Sequence, residues 1–282
     1  MRAAYIISIV CVCAAVLISH ERYEYDLPFV PMPMDVVNAM LDLAKITPED
    51  TVFDLGCGDG RVVIGAAALG ARGVGIDIDA AMISESEENA KTIGVEDRVK
   101  FYQTDFFQVP LAKASVVTIY LFPDVNIKLR PKLLNELKPG ARIVSNDFDM
   151  GEWAADSTVS TGTNTVYLWI IPANVSGTWN WQYNGKPGKS YSMCIDQKYQ
   201  RLSGNITNIS GGSVVFKELE LRGDKIRIVI DEGNRGKTTL FGTVRENSIE
   251  GTAILPNGSK QKWYASRAAS TICPIFFPDG GI

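Results

Sequence analysis

The sequence predicts an α/β domain built on a parallel sheet, followed by a smaller all-β module. Three observations carry that expectation. Between residue 28 and about 173, short apolar runs alternate with helix-patterned stretches, the order that right-handed βαβ units require. From 174 to 267 the pattern changes to short alternating segments cut by turn residues such as NGKPG, RGD, EGNRG and PNG. Net charge reverses at the same place: residues 1–173 hold 14 Lys and Arg against 23 Asp and Glu, and residues 174–267 hold 14 against 8.

In order, PFVPMPMDVVNAMLDLAKI opens with prolines and then sets Val36, Val37, Met40, Leu41 and Ala44 on one helical face, with Asp35 as the expected N-cap and Pro48 ending the run. TVFDLGCGDG is an apolar strand running into glycines, and RVVIGAAALG a helix stopped by Gly70. GVGIDID, VKFYQTDFF, ASVVTIYLF and ARIVSNDF read as further strands, with the helices AMISESEENAKTIG and NIKLRPKLLNELKPG between them. TNTVYLWIIP is expected to add a final edge strand. In the second module, about eight strands between SGTWNWQYN and KQKWYASR form an antiparallel meander, either a small barrel or a sandwich. Small barrels are generally filled by side chains, and RGD at 222–224 reads as a hairpin turn. Residues 268–282 form an apolar tail that either packs back on a domain or does not.

With 46% hydrophobic and 21% charged residues and a mean hydropathy of +0.03, the chain is neither disordered, fibrous nor a polytopic membrane protein. A net charge of −4 supplies no basic field for nucleic acid. The single histidine, His20, lies in the N-terminal region, which excludes Ser-His-Asp and Cys-His catalysis and His-ligated metal from the folded body. Five scattered cysteines without a CxxC pair argue against a structural zinc or a disulfide framework, so no metal site is expected. Met1-Arg2 followed by AAYIISIVCVCAAVLIS reads as a secretory signal or signal anchor over residues 1–23, giving a membrane-anchored or exported chain. The run is at the short limit for a bilayer span, and mitochondrial or cytoplasmic-facing placement stays open.

Chemistry is expected at the carboxyl ends of the strands. Asp54-Leu-Gly56-Cys-Gly58-Asp-Gly60 sits between a strand and a helix, where glycines permit a tight turn and close backbone approach by a ligand. Arg61 stands where a dinucleotide fingerprint needs its third glycine, and no G-K-[ST] of a P-loop follows. Asp77 ends the next strand, placed for ribose hydroxyls, and Asp105 the third, placed for an adenine amino group. Three acids around one crevice suit an adenosine-bearing ligand.

VFDLGCGDGRVVIGAA, GVGIDID, VKFYQTDFF and the PG-ARIVSNDF step resemble the class I, seven-strand S-adenosylmethionine-dependent methyltransferases over residues 28–173. PFVPMPMDVV and VVTIYLFPDVN are similar to a narrower branch that holds the mitochondrial lysine methyltransferases acting on the c-ring protein of ATP synthase, although Met32 stands where that branch has Thr. The resemblance implies a Rossmann-like seven-strand methyltransferase sheet and S-adenosyl-L-methionine as cofactor. It implies Asp54, Gly56, Gly58 and Gly60 around the methionine part, Asp77 at the ribose and Asp105 near adenine, with Cys57, Asp59 and Asp79 as weaker candidates. It also implies a protein lysine as acceptor, a small molecule being the alternative; Tyr120-Leu-Phe122-Pro123 in place of Asn-Pro-Pro-Tyr argues against nucleobase methylation. A lysine amine must lose a proton, which a poorly hydrated aromatic channel favours. Tyr120, Phe122 and Phe29 either line such a channel or merely pack at the strand mouth. Asp147, with Asp149 and Glu152, either orients the substrate or belongs to a solvated acidic loop.

Overall fold

The structure, a computed structural model, describes residues 29–183 and 190–275. The expected leader at 1–23, with Cys11, Cys13 and His20, and the last seven residues of the tail lie outside the described residues. Among the described residues no helix is long and apolar enough to cross a membrane.

The first domain runs α1 (Met34–Ala44), β1 (Thr51–Leu55), α2 (Arg61–Ala68), β2 (Arg72–Asp77), α3 (Ala80–Ile93), β3 (Val99–Gln103), β4 (Val116–Ile119), α4 (Pro123–Glu136), β5 (Arg142–Asn146), β6 (Ser157–Thr161) and β7 (Asn164–Ile170). These seven strands make one sheet in the order β3-β2-β1-β4-β5-β7-β6. β1 to β5 are parallel, while β7 runs antiparallel to both β5 and β6. Alternation along the strands feeds two faces. Val52, Val116 and Val144 pack under α1 and α2, whereas Phe53, Val117 and Ile143 pack against Leu129 and Leu133 of α4. Covering both faces explains why these strands read as near-continuous apolar runs.

Two expectations are corrected. TNTVYLWIIP supplies β7, which lies inside the sheet between β5 and β6; the edge strand is β6, STVST. That segment is polar and mostly exposed, so it carries no apolar period to read. Asp35 lies in the first turn of α1 instead of capping it: Pro33 is the N-cap, supplying the carbonyl that Val36 and Val37 bond to. The chain leaves α1 through Lys45 in the left-handed region.

β8 (Gly177–Tyr183), β9 (Ser190–Lys198), β10 (Arg201–Asn208), β11 (Val215–Arg222), β12 (Lys225–Asp231), β13 (Lys237–Arg245), β14 (Ser248–Ile254) and β15 (Lys260–Arg267) form a second, wholly antiparallel sheet. Its order is β10-β9-β8-β15-β14-β13-β12-β11, and its two edges, β10 and β11, approach each other, so it curls into a nearly closed barrel. Trp179, Trp181, Tyr191, Ile228, Leu240, Ile249 and Trp263 fill its interior. The start of the tail packs back on this module: Ser176 donates to the Cys273 carbonyl at 2.6 Å, and Ile275 is buried. Cys57, Cys194 and Cys273 are free thiols.

The two sheets touch where the RGD turn meets the turn before β5. The Ala173 N–H donates to the Gly223 carbonyl at 2.8 Å, and a Cβ on Gly223 would stand 2.9 Å from the Gly140 Cα. Gly223 also has φ +60°. Gly223→Ala is therefore expected to cost on the order of 1–3 kcal/mol, from left-handed strain and overpacking. A lowered urea midpoint checks this, and an unchanged one would mean the turn gives way freely.

Candidate active site

The sheet changes direction of growth at β1: β2 and β3 extend to one side, β4 and β5 to the other. Ligands of open α/β sheets bind in the crevice at the carboxyl ends of such strands. Here that crevice is a pocket walled by the β1–α2 glycine loop, the ends of β2 and β4, the segment before α1, and Phe148 after β5.

The loop is tied to β2 by its backbone. The N–H groups of Gly56 and Cys57 both donate to the Ile76 carbonyl, at 2.8 and 3.0 Å. Asp77 Oδ2 accepts the Gly58 N–H at 2.8 Å, while its Oδ1 accepts the Asp79 N–H at 3.0 Å. Gly56, Gly58 and Gly60 all have positive φ, between +51° and +81°, which L side chains rarely adopt. The Phe29 ring lies directly over Gly58, within 2.3 Å of where a Cβ would be. Asp59 pairs with Arg61, which also donates to the Met32 carbonyl and so anchors the segment before α1.

Asp54 is buried at the end of β1 and lines the pocket. Its carboxylate accepts the Thr118 hydroxyl at 2.7 Å. Burial, opposed by that hydrogen bond and reinforced by the nearby Asp77 and Asp59 carboxylates, pushes its pKa up to about 7. A pocket with a buried carboxyl and two neighbouring acids favours a cationic ligand group. Burial, with Asp54 and Asp77 adding repulsion, pushes the Cys57 thiol far up; it is therefore a neutral loop residue, not a thiolate nucleophile.

The opposite wall is aromatic. Tyr120 and Phe122, just past β4, line the pocket with Phe148 and Phe29. Tyr120 stacks on Phe148 at 6.2 Å and 17°, and Phe122 meets Phe148 edge-on at 6.2 Å. Burial, then the Asp147 charge, raises the Tyr120 pKa above its ordinary value, so the phenol is neutral near pH 7.

Of the expected residues, Asp54, Gly56, Gly58, Asp77 and Tyr120 line this one pocket, as do Cys57, Asp59 and Asp79. Gly60 caps α2 and packs on Ser86 and Phe101, shaping the loop from behind. Asp105 is not in the lining; its carboxylate caps the short turn Phe106–Gln108 by accepting the Phe107 N–H at 2.8 Å, and Phe106 reaches the pocket. Asp147 corrects its expectation. At φ +60° it turns its carboxylate toward β7, accepting the Thr165 N–H at 2.9 Å and the Asn164 amide at 2.6 Å. It fastens β5 to β7 instead of facing the pocket. Glu152 likewise points to the barrel, paired with Lys198 at 2.7 Å. Phe148, Phe106 and Met82 are lining residues that the sequence reading missed. An aromatic immediately after the acidic end of a strand, in TDFF and NDF, is the signal that could have found the first two.

This geometry, a glycine loop at a β1 switch point beside acids and an aromatic wall, defines a Rossmann-like transferase of the methyltransferase class. A family model described as the ANTKMT methyltransferase domain matches residues 54–157. A protein-lysine N-methyltransferase of Saccharolobus islandicus is 40% identical over 155 residues, 53% of this chain and 96% of that protein. The Mus musculus lysine N-methyltransferase that acts on the c-ring protein of ATP synthase is 34% identical over 172 residues, 61% of this chain and 66% of the relative. Among solved structures, an RNA methyltransferase from Salinibacter ruber in complex with S-adenosyl-L-homocysteine is 52% identical, covers 52% of this chain and 96% of its own, and superposes with a TM-score of 0.51. The chain belongs to the ANTKMT methyltransferase family, and is an S-adenosylmethionine-dependent methyltransferase. The family match ends before the barrel begins.

Because its folded pKa of about 7 exceeds its unfolded value near 4, Asp54 holds a proton in the folded chain that it loses on unfolding. Its contribution to stability is complete below about pH 4 and is lost as pH rises to 7, at most about 4 kcal/mol. Asp50 tilts the other way, since hydrogen bonds from Ser115 and Thr47 and the Arg142 charge outweigh its burial and lower its pKa. The difference between wild type and Asp54→Asn isolates the effect. Urea midpoints of the variant are expected to gain on wild type between pH 4.5 and 7.5; parallel curves would show Asp54 ionised throughout.

Proposed function

We propose that this chain transfers the methyl group of S-adenosylmethionine to the side-chain amine of a protein lysine. One observation carries the reading: a buried carboxyl, Asp54, faces the same pocket as an aromatic wall. The residues fit the cofactor, since an acidic, glycine-floored pocket suits a ligand with a cationic sulfur. When bound, the cofactor supplies a methyl group already activated by that sulfonium. Asp54 compensates the positive charge, the Gly56–Gly58 backbone allows close approach, and Asp77 accepts from ribose hydroxyls. Tyr120, Phe122 and Phe148 exclude water around the acceptor amine, favouring its neutral form and holding it in line. Asp105, next to Phe106, borders the adenine side. The lysine acceptor is supported by the lysine methylation for which the Saccharolobus and mouse relatives are named.

We further propose residues 28–173 as the cofactor-binding domain and 174–267 as a second domain, with residues 1–23 as a leader or membrane anchor. Separate cores beneath the two sheets support the first division. Release of the full chain from membranes by alkaline carbonate would sink the anchor.

Calorimetry with S-adenosylhomocysteine is expected to give the same affinity for the full chain and for a fragment of residues 24–173. In either, Asp77→Ala should weaken binding about tenfold, from roughly 1.5–3 kcal/mol of charged hydrogen bonding. An unchanged dissociation constant for the variant would put the ribose elsewhere.

Methyl-labelled S-adenosylmethionine incubated with the chain and a membrane or envelope extract should label protein at lysine. The Salinibacter protein, named as an RNA methyltransferase, favours RNA as a second acceptor class, although the first domain's acidic balance opposes it. Label that survives protease but not ribonuclease would establish RNA instead.

A further inference from the structure

The loop at 147–156, between β5 and β6, carries Phe148 into the pocket and is held from two sides. From its own domain, Asn126 of α4 donates to the carbonyls of Phe148 and Asp149, at 3.2 and 3.3 Å. Arg130 donates to the Met150 carbonyl at 2.9 Å. From the barrel, the β9–β10 turn grips the rest. The Tyr199 hydroxyl donates to Glu152 at 2.8 Å, beside the Lys198 ion pair. Gln200 Oε1 accepts the Trp153 indole N–H at 2.9 Å, and its amide donates to the Ala154 carbonyl at 2.6 Å.

Tyr199 is a barrel residue that packs in the other domain. It is 2% exposed, belongs to the core beneath the seven-stranded sheet, and stacks on Trp153 at 5.6 Å and 13°. The Arg130 guanidinium lies over the same ring at 5.6 Å. Its backbone has φ +55° in a two-residue turn between the paired Lys198 and Arg201, where Asn or Gly is the unstrained choice. A bulky aromatic kept there at a conformational cost implies that its side chain has work outside the hairpin.

We propose that the β9–β10 turn is a positioning element of the methyl-acceptor pocket: Tyr199 and Gln200 hold the 147–156 loop so that Phe148 stays stacked on Tyr120. The proposal rests on the reading of the aromatic wall as the acceptor side. It gives the barrel a part in the reaction without contact with the reacting atoms. The cofactor side depends on β1, β2 and the glycine loop, which the turn does not touch, so cofactor and acceptor functions separate.

The test uses the full chain with Tyr199→Gly, Gln200→Ala and Tyr199→Phe. Glycine relieves the left-handed turn, which guards against failure to fold, while Phe keeps the stacked ring and loses only the hydroxyl. Tyr199→Gly and Gln200→Ala are expected to speed hydrogen–deuterium exchange at 147–153 tenfold or more and leave S-adenosylhomocysteine affinity within twofold. At saturating S-adenosylmethionine they should raise the extract concentration needed for half-maximal labelling at least fivefold, with Tyr199→Phe close to wild type. Faster loop exchange with unchanged labelling would overturn the proposal, as would a parallel loss of S-adenosylhomocysteine affinity. If wild type binds S-adenosylhomocysteine but labels nothing in the extract, the acceptor reading fails by itself. Exchange then decides the positioning: the Phe148 and Tyr120 segments must loosen together in Tyr199→Gly, and an unmoved Tyr120 segment overturns it.

Discussion

Everything at the active site depends on how the glycine loop is clasped to the end of β2. Two N–H groups share the Ile76 carbonyl, and a third is held by the Asp77 carboxylate. Those bonds fold the loop back over the sheet and force its glycines to positive φ. They also bring Asp77 and Asp59 close enough to Asp54 to raise its pKa. The loop thus sets both the shape and the charge of the pocket, and a side chain on Gly58 would meet the ring of Phe29.

The aromatic wall has a different origin. Tyr120 and Phe122 follow β4 directly, so the parallel sheet alone delivers them. Phe148 comes from a loop with little structure of its own, made rigid by bonds from α4 and from the barrel. Two wall residues are therefore fixed by the sheet, and the third by tertiary contacts that cross between domains.

The same contacts account for the acids that did not reach the pocket. Asp147 and Glu152 have partners elsewhere: the first meets the start of β7, the second meets Lys198 and Tyr199. A carboxylate near a strand end serves whichever donors the chain brings to it. At Asp77 those donors are backbone N–H groups of the site itself; at Asp147 they belong to a neighbouring strand.

The sequence by itself determined the strand–helix alternation, the glycine loop with Asp54 and Asp77, and the eight-stranded second module. These are local signals: apolar period, turn residues, and acids at strand ends. Gly223 in RGD was legible as a turn residue, but not that the turn docks against Gly140. The polar edge strand β6 carried no period at all, because its pairing with β7 supplies the order that its side chains do not. Tyr199 read as one more aromatic in a β segment, yet it lies in the core of the other domain. Only the tertiary structure decided which face of the turn, which partner for Asp147 and which aromatic beside Tyr120, because each depends on residues far apart in the chain meeting in space.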